Sequence, residues 1–163
     1  MCKRIRVSLV TFVLMLLVAG LASAAAAAPF AGHFKANGQD AKLAFLRAVK
    51  DDPWMDKPTI RLVFSEKDAS KDANPSMHAQ FGKFGDALSV LIVPDEGDKW
   101  DVIGTEFMHS ALKHSGASGT GILHVSDVKI ANGEISGHLT TKPGETLFDD
   151  KIDIDLSFHV KKP

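Results

Sequence analysis

Residues 151–161 read KIDIDLSFHVK. Ile152, Ile154, Leu156, Phe158 and Val160 alternate without a break with Lys151, Asp153, Asp155, Ser157, His159 and Lys161. Successive side chains of a β-strand point to opposite faces, so this stretch has one dry face and one wet face. Such a strand belongs in an antiparallel sheet, covered on one side and solvated on the other. A slip of one residue would exchange the two faces, so its register is strongly specified.

Working outward, two Ala-Asn-Gly triplets mark hairpins, at Asn37-Gly38 and Asn132-Gly133. Asn-Gly suits the type I′ turn because both central residues need positive φ. Counting outward from the first turn places Phe34 opposite Ala41, Gly32 opposite Leu43 and Phe30 opposite Phe45. Lys35 then faces Asp40 on the wet side. From the second turn, Ile130 meets Ile135 and Val128 meets Gly137 on the inner face, with Asp127 opposite His138 outside.

Further strands are expected at Pro58–Phe64, Asp86–Val93, Trp100–Met108 and Gly121–Val125. DALSVLIV is apolar on both faces, as suits a central, covered strand. The expected fold is all-β: a single antiparallel β-sandwich or closed barrel of about eight or nine strands. The stretch at 65–85, SEKDASKDANPSMHAQFGKFG, breaks the pattern. A loop of this length is usually functional or mobile. Ser70–Ala73 or Ser76–Gln80 has the composition of a helical turn. Phe81 and Phe84, set between glycines, are candidates either to plug one end of the fold or to display a binding surface, and Trp54 in the connector DDPWMDKP joins them as a ligand-binding candidate.

The chain opens MCKRIRVSLVTFVLMLLVAGLASAAAAAPF. A basic start (Lys3, Arg4, Arg6), an apolar run from Val7 to Val18 and the small triplet Ala22-Ser23-Ala24 are the parts of a secretory signal. The expectation is a signal peptide at 1–24, cut between residues 24 and 28, then one β domain over 29–163 in the periplasm or medium, with no membrane span after cleavage. The competing reading is an uncleaved anchor, since Val7–Ala28 is just long enough to span a bilayer. Cys2, the single cysteine, falls in this segment, which leaves the mature part without disulfides, cysteine nucleophiles or zinc–cysteine clusters. Removing three basic residues and no acids leaves 16 Lys+Arg against 20 Asp+Glu, a net charge of −4. The signs are interspersed, and without a basic stripe nucleic acid is not an expected partner.

Chemistry-bearing residues are sparse. His109 and His114 in FMHSALKHSG are the metal candidates, with Glu106 as a further helper. On a strand, an odd spacing sends them to opposite faces. On a helix they stand about 140° apart, unlike the i, i+4 pair of HExxH. They can meet only if the chain turns sharply between them, and HSGASG reads as such a turn. By pattern His33, His138 and His159 fall on outer faces. No Gly-x-Ser-x-Gly elbow, P-loop, dinucleotide fingerprint or EF-hand loop is present. Asp153 and Asp155 share a strand face about 7 Å apart, which is a solvated face without a cleft. No catalytic residue and no cofactor is assigned.

The phrases FKANGQDAKLAF, KPTIRLVFSEKDAS, FGKFGDALSV, ISGHLTT and DIDLSFHV together resemble uncharacterised bacterial exported proteins expected to be β-rich. The resemblance implies a bacterial source and export, and carries no reaction or site residue. The functional expectation is a non-enzymatic binding or accessory module for a protein, an envelope component or a small apolar ligand. Two alternatives stand beside it: a metal-binding protein or metal-dependent enzyme centred on His109, and a structural subunit of an envelope assembly.

Overall fold

The computed structural model describes residues 28–114 and 116–163. The signal segment expected at 1–24, and the cleavage region after it, lie outside the described residues. Among the described residues, eleven strands and one short helix follow in chain order: β1 (Phe30–Ala36), β2 (Gln39–Asp40), β3 (Phe45–Trp54), β4 (Lys57–Ser65), α1 (Pro75–Gln80), β5 (Ala87–Pro94), β6 (Trp100–Met108), β7 (Gly116–Gly119), β8 (Leu123–Ala131), β9 (Glu134–Thr141), β10 (Thr146–Leu147) and β11 (Asp150–Lys161). One sheet runs β2-β1-β11-β9-β8, with β10 attached to β11, and the other runs β3-β4-β5-β6-β7. All pairings are antiparallel. The two sheets pack as a β-sandwich, and it is not a closed barrel. Among the described residues no helix is long and apolar enough to cross a membrane.

The alternation of KIDIDLSFHVK fixes the centre of the first sheet. Ile152, Ile154, Leu156 and Phe158 are all buried, while their odd-numbered neighbours are exposed. They face Leu62, Phe64, Leu88, Val90, Ile92 and Phe107 of the second sheet in one core. Burying each such side chain stabilises the fold by about 1.5–3 kcal/mol. β5 is covered on both sides, as its composition suggests: Leu88, Val90 and Ile92 enter the main core, while Ala87 packs with Val63, Ala69, Ala79 and Phe84 under the 65–85 segment.

Several expectations are corrected. The first hairpin keeps Lys35 opposite Asp40 but ends after two residue pairs. Beyond the Ala41 N–H bond to the Phe34 carbonyl the chain leaves for the other sheet. Phe30 therefore lies opposite Phe158, not Phe45, and Phe45 lies opposite Ser65. In the second hairpin Ile130 does pair with Ile135, but a bulge between Ser126 and Lys129 shifts the register. Ser126, not Asp127, stands opposite His138, and Asp127 takes a φ of 54°. Ile130 stays largely exposed on edge strand β8. DDPWMDKP is not a connector: it carries the end of β3 and a hairpin turn at Met55-Asp56, both with positive φ. Part of the expected 114–119 turn is strand β7, paired with β6. These short or bulged strands raise the total above the eight or nine expected.

Candidate functional site

The 65–85 segment folds back across the outer face of the second sheet. Pro75 starts α1, where its missing N–H costs nothing. Arg47 on β3 fastens the segment's first half, with Nη1 donating to the carbonyls of Ala69 at 2.9 Å and Asp72 at 2.6 Å. Asp72 then gathers the rest. Its carboxylate accepts from Lys83 Nζ at 2.6 Å, bonds His78 Nδ1 at 2.8 Å and takes the Asn74 N–H at 2.9 Å. The Lys83 bond, then the His78 bond, hold the Asp72 carboxyl far below the ordinary carboxylate range. Nearby, the Ser70 N–H and hydroxyl lower that of Asp68.

α1 itself is tied down by a directed chain of hydrogen bonds. Arg61 Nη1 donates to Ser89 Oγ at 3.2 Å, Ser76 Oγ donates to Glu106 Oε2 at 2.9 Å, and the two serine hydroxyls are 2.8 Å apart. Ser76 has one proton and gives it to Glu106, so Ser89 is the donor between the serines. Asp51 pairs with Arg61 Nε, and Glu106 Oε1 lies 3.4 Å from Arg61 Nη1. The guanidinium thus sits between two carboxylates, which makes this cluster a clasp for α1 rather than an anion receptor.

The clasp leaves a ledge. Met77 and Phe81 are four residues apart across a helical turn, hence on one side of it. They are 47% and 77% exposed. A groove of about 580 Å³ runs along one flank, lined among others by Val49, Arg61, Pro75, Met77 and Glu106. A second, of about 440 Å³, lies on the other flank between Phe81, Met108 and Gly116–Ser118 of β7. Two apolar side chains are thus left in water between two grooves.

The two phenylalanines therefore part company. Phe84 is 6% exposed and plugs the small cluster with Val63, Ala69, Ala79 and Ala87, while Phe81 is displayed. Trp54 is half-exposed on the β3–β4 hairpin and lines neither groove. His109 is 1% exposed and packs edge-on against Phe34, ring centroids 5.0 Å apart. Its Nδ1 accepts the Ala111 N–H at 3.0 Å, which assigns the proton to Nε2, and Nε2 has no partner among the described residues. Beside it lies a hollow of about 300 Å³ with Asp86 and Glu66. Asp86 is already engaged by the Ser110 N–H at 2.8 Å and the Lys42 N–H at 3.3 Å. His114 is exposed on the following turn, and Glu106 faces the outer clasp, so the structure does not bring these three together. Among the described residues no group of three or more His, Cys, Asp or Glu side chains is placed to share a metal ion.

Three further histidines lie beside carboxylates on the outer face of the first sheet. His33 lies 3.1 Å from Asp153, His138 2.7 Å from Asp155 and His159 2.8 Å from Glu134. The His138 hydrogen bond lowers the Asp155 carboxyl. Sequence reasoning missed Met77 and the flanking grooves. The Met77–Phe81 spacing was visible, but nothing local says which aromatic of the pair 81/84 turns outward. No family model, no curated protein and no solved structure matches this chain.

Proposed function

We propose that this chain is an exported, non-enzymatic binding module that docks a partner protein on the α1 ledge. The observation that carries the reading is the exposed Met77–Phe81 pair, held by a fully bonded clasp between two grooves. Exposed aromatic and methionine side chains on an ordered support suit a contact centre, because covering them removes a large apolar area from water while the backbone beneath is already fixed. The exposed side chains of Gln80 and Ser118 supply a rim that can hydrogen-bond. Export is supported by the basic–apolar–small order of residues 1–24.

The test is photo-crosslinking in cells producing the full chain, with benzoylphenylalanine placed in turn at Met77, Phe81, Phe148 and Thr140. A discrete protein adduct at 77 and 81, absent at 148 and 140, is expected, on a chain whose mature N-terminus begins between residues 25 and 28. Equal labelling at all four positions, or none at 77 and 81, would overturn the ledge as a docking site.

A further inference from the structure

The end of the sandwich opposite His109, where β6 begins, holds a separate feature. A pocket of about 400 Å³ opens there between the sheets, lined by Trp100, Ile60, Pro53, Pro58, Lys50 and Lys162 among others. Its origin is local. Asp51 pairs with Thr59 and Trp54 with Lys57, so two residues, Asp52 and Pro53, stand opposite the single Pro58. Neither proline can donate to the ladder, and the resulting bulge bends the hairpin away from the sheet. The floor is apolar, with Ile60 at the edge of the main core and Trp100 half-buried against it.

The charges around this pocket are unequal. The lysine ion pairs among the described residues are Lys35–Asp40, Lys57–Asp95 and Lys83–Asp72. Lys50 and Lys162 are in none of them, and both are exposed. The one carboxylate side chain in the lining, Asp51, is occupied by Arg61 and by the Asp52 N–H at 2.8 Å. An apolar floor bearing one large aromatic side chain, beneath two unpaired ammonium groups, selects a ligand with matching parts. A volume of this size suits a small molecule.

We propose that this pocket binds a small amphipathic anion, an aromatic or aliphatic body carrying one carboxylate or sulfonate. The body lies on Trp100 and Ile60, excluding water from them, and the head group meets Lys50 and Lys162. The pocket shares Lys50 and Asp51 with one groove beside α1, but neither Met77 nor Phe81 of the ledge lines it.

The probe is 1-anilinonaphthalene-8-sulfonate, with uncharged N-phenyl-1-naphthylamine as its comparison. The chain has two tryptophans, so Trp54→Phe leaves Trp100 as the sole emitter. Saturable quenching of Trp100 by one equivalent of the sulfonate is expected. The uncharged analogue, and the double variant Lys50→Glu/Lys162→Glu, should each bind about tenfold more weakly. Trp100→Leu should weaken both probes, and if it does not fold, the charge-reversed variant still decides. Met77→Ser/Phe81→Ser should change nothing. Quenching that fails to saturate, charge reversal without effect, or loss of binding in the Met77/Phe81 variant would each overturn the proposal.

Discussion

The molecule contains the same three residues, Ala-Asn-Gly, at two hairpin turns. Locally they are almost superposable: φ is 51° and 80° at Asn37-Gly38, and 53° and 77° at Asn132-Gly133. Their consequences differ. The second turn joins two long strands that pair along most of their length. The first joins β1 to a two-residue strand and then lets the chain cross to the other sheet. Asn37 is also bound from outside its hairpin. Its Nδ2 donates to Asp150 at 2.7 Å and to the Ala111 carbonyl at 2.9 Å, and its Oδ1 accepts the Lys151 N–H at 3.0 Å. Asn132 has no such side-chain bonds among the described residues. A turn signal fixes the reversal of the chain, and distant partners decide how far the hairpin extends.

The largest test compares two glycines that simple counting from the turns would have treated alike. Gly32 on β1 has φ 116°, and an added Cβ would lie 1.9 Å from the Asp155 carbonyl oxygen. Gly137 on β9 would meet the Phe158 ring at 2.8 Å. Backbone cannot yield there, and a ring edge can. Gly32→Ala should therefore cost about 3 kcal/mol or more, and Gly137→Ala about 1–2 kcal/mol. Urea unfolding of both variants checks this, and equal costs would mean that β1 is not locked to β11 by that close approach.

Next come the turn asparagines themselves. Asn37→Ala removes three side-chain hydrogen bonds and takes a donor from buried Asp150, which keeps only the Lys113 N–H at 3.2–3.3 Å. The expected loss is about 2–4 kcal/mol. Asn132→Ala pays only for the left-handed backbone, about 1 kcal/mol. Asn37→Gly separates the contributions: it relieves the φ term, and most of the loss should remain. Full recovery in a thermal melt would reduce Asn37 to a turn residue like its twin.

That contrast explains what could be read from residues alone. β11, β4 and β5 were legible because each buries one unbroken period-2 face, whereas in β6 a bulge shifts burial from Val102 to Thr105 and Phe107. The pairing of Phe30 with Phe158 was not, because Phe158 lies far along the chain and counting from the turn puts Phe45 in its place. The hairpin turns at Met55-Asp56 and Phe148-Asp149 were invisible, since neither contains the glycine or asparagine that positive φ normally selects. The site follows the same division. That the 65–85 segment was special could be read from its length and composition. That Phe84 would be buried and Phe81 shown depends on Val63 and Ala87, which belong to other strands.

A smaller effect concerns the bulge that displaces Asp127 from His138. With φ at 54°, Asp127 holds a conformation that glycine adopts without strain. Asp127→Gly should stabilise the fold by about 0.5 kcal/mol, and Asp127→Val, branched at Cβ, should destabilise it by about 1–2 kcal/mol. Both read directly as midpoint shifts in urea. Stabilisation by valine would mean that the strand recovers the regular register that counting from Asn132-Gly133 implies.

The weakest expected effect asks whether the 65–85 segment, like the first turn, is held by remote partners, here ionic ones. Asp72 is ionised in the folded state well below the pH at which a free carboxylate protonates, because Lys83 and His78 bond the charged form. A depressed folded-state pKa contributes stability that is complete above the ordinary carboxylate value of about 3.9 and is lost as pH falls through the folded value. Between pH 9 and pH 7.5, above the ordinary values of both a carboxylate and its histidine partner, about 3.9 and 6.5, the Asp72 contribution should therefore stay constant. Hydrogen exchange of the amides from Lys71 to Phe84, corrected for intrinsic rates, measures it. Wild-type protection attributable to Asp72, taken as the difference from Asp72→Asn, should be unchanged across that window, with the variant opening faster at pH 7.5. If Asp72→Asn leaves protection intact, the segment is held by Arg47, Ser76 and the Phe84 plug alone, and the ledge owes its rigidity to packing rather than charge.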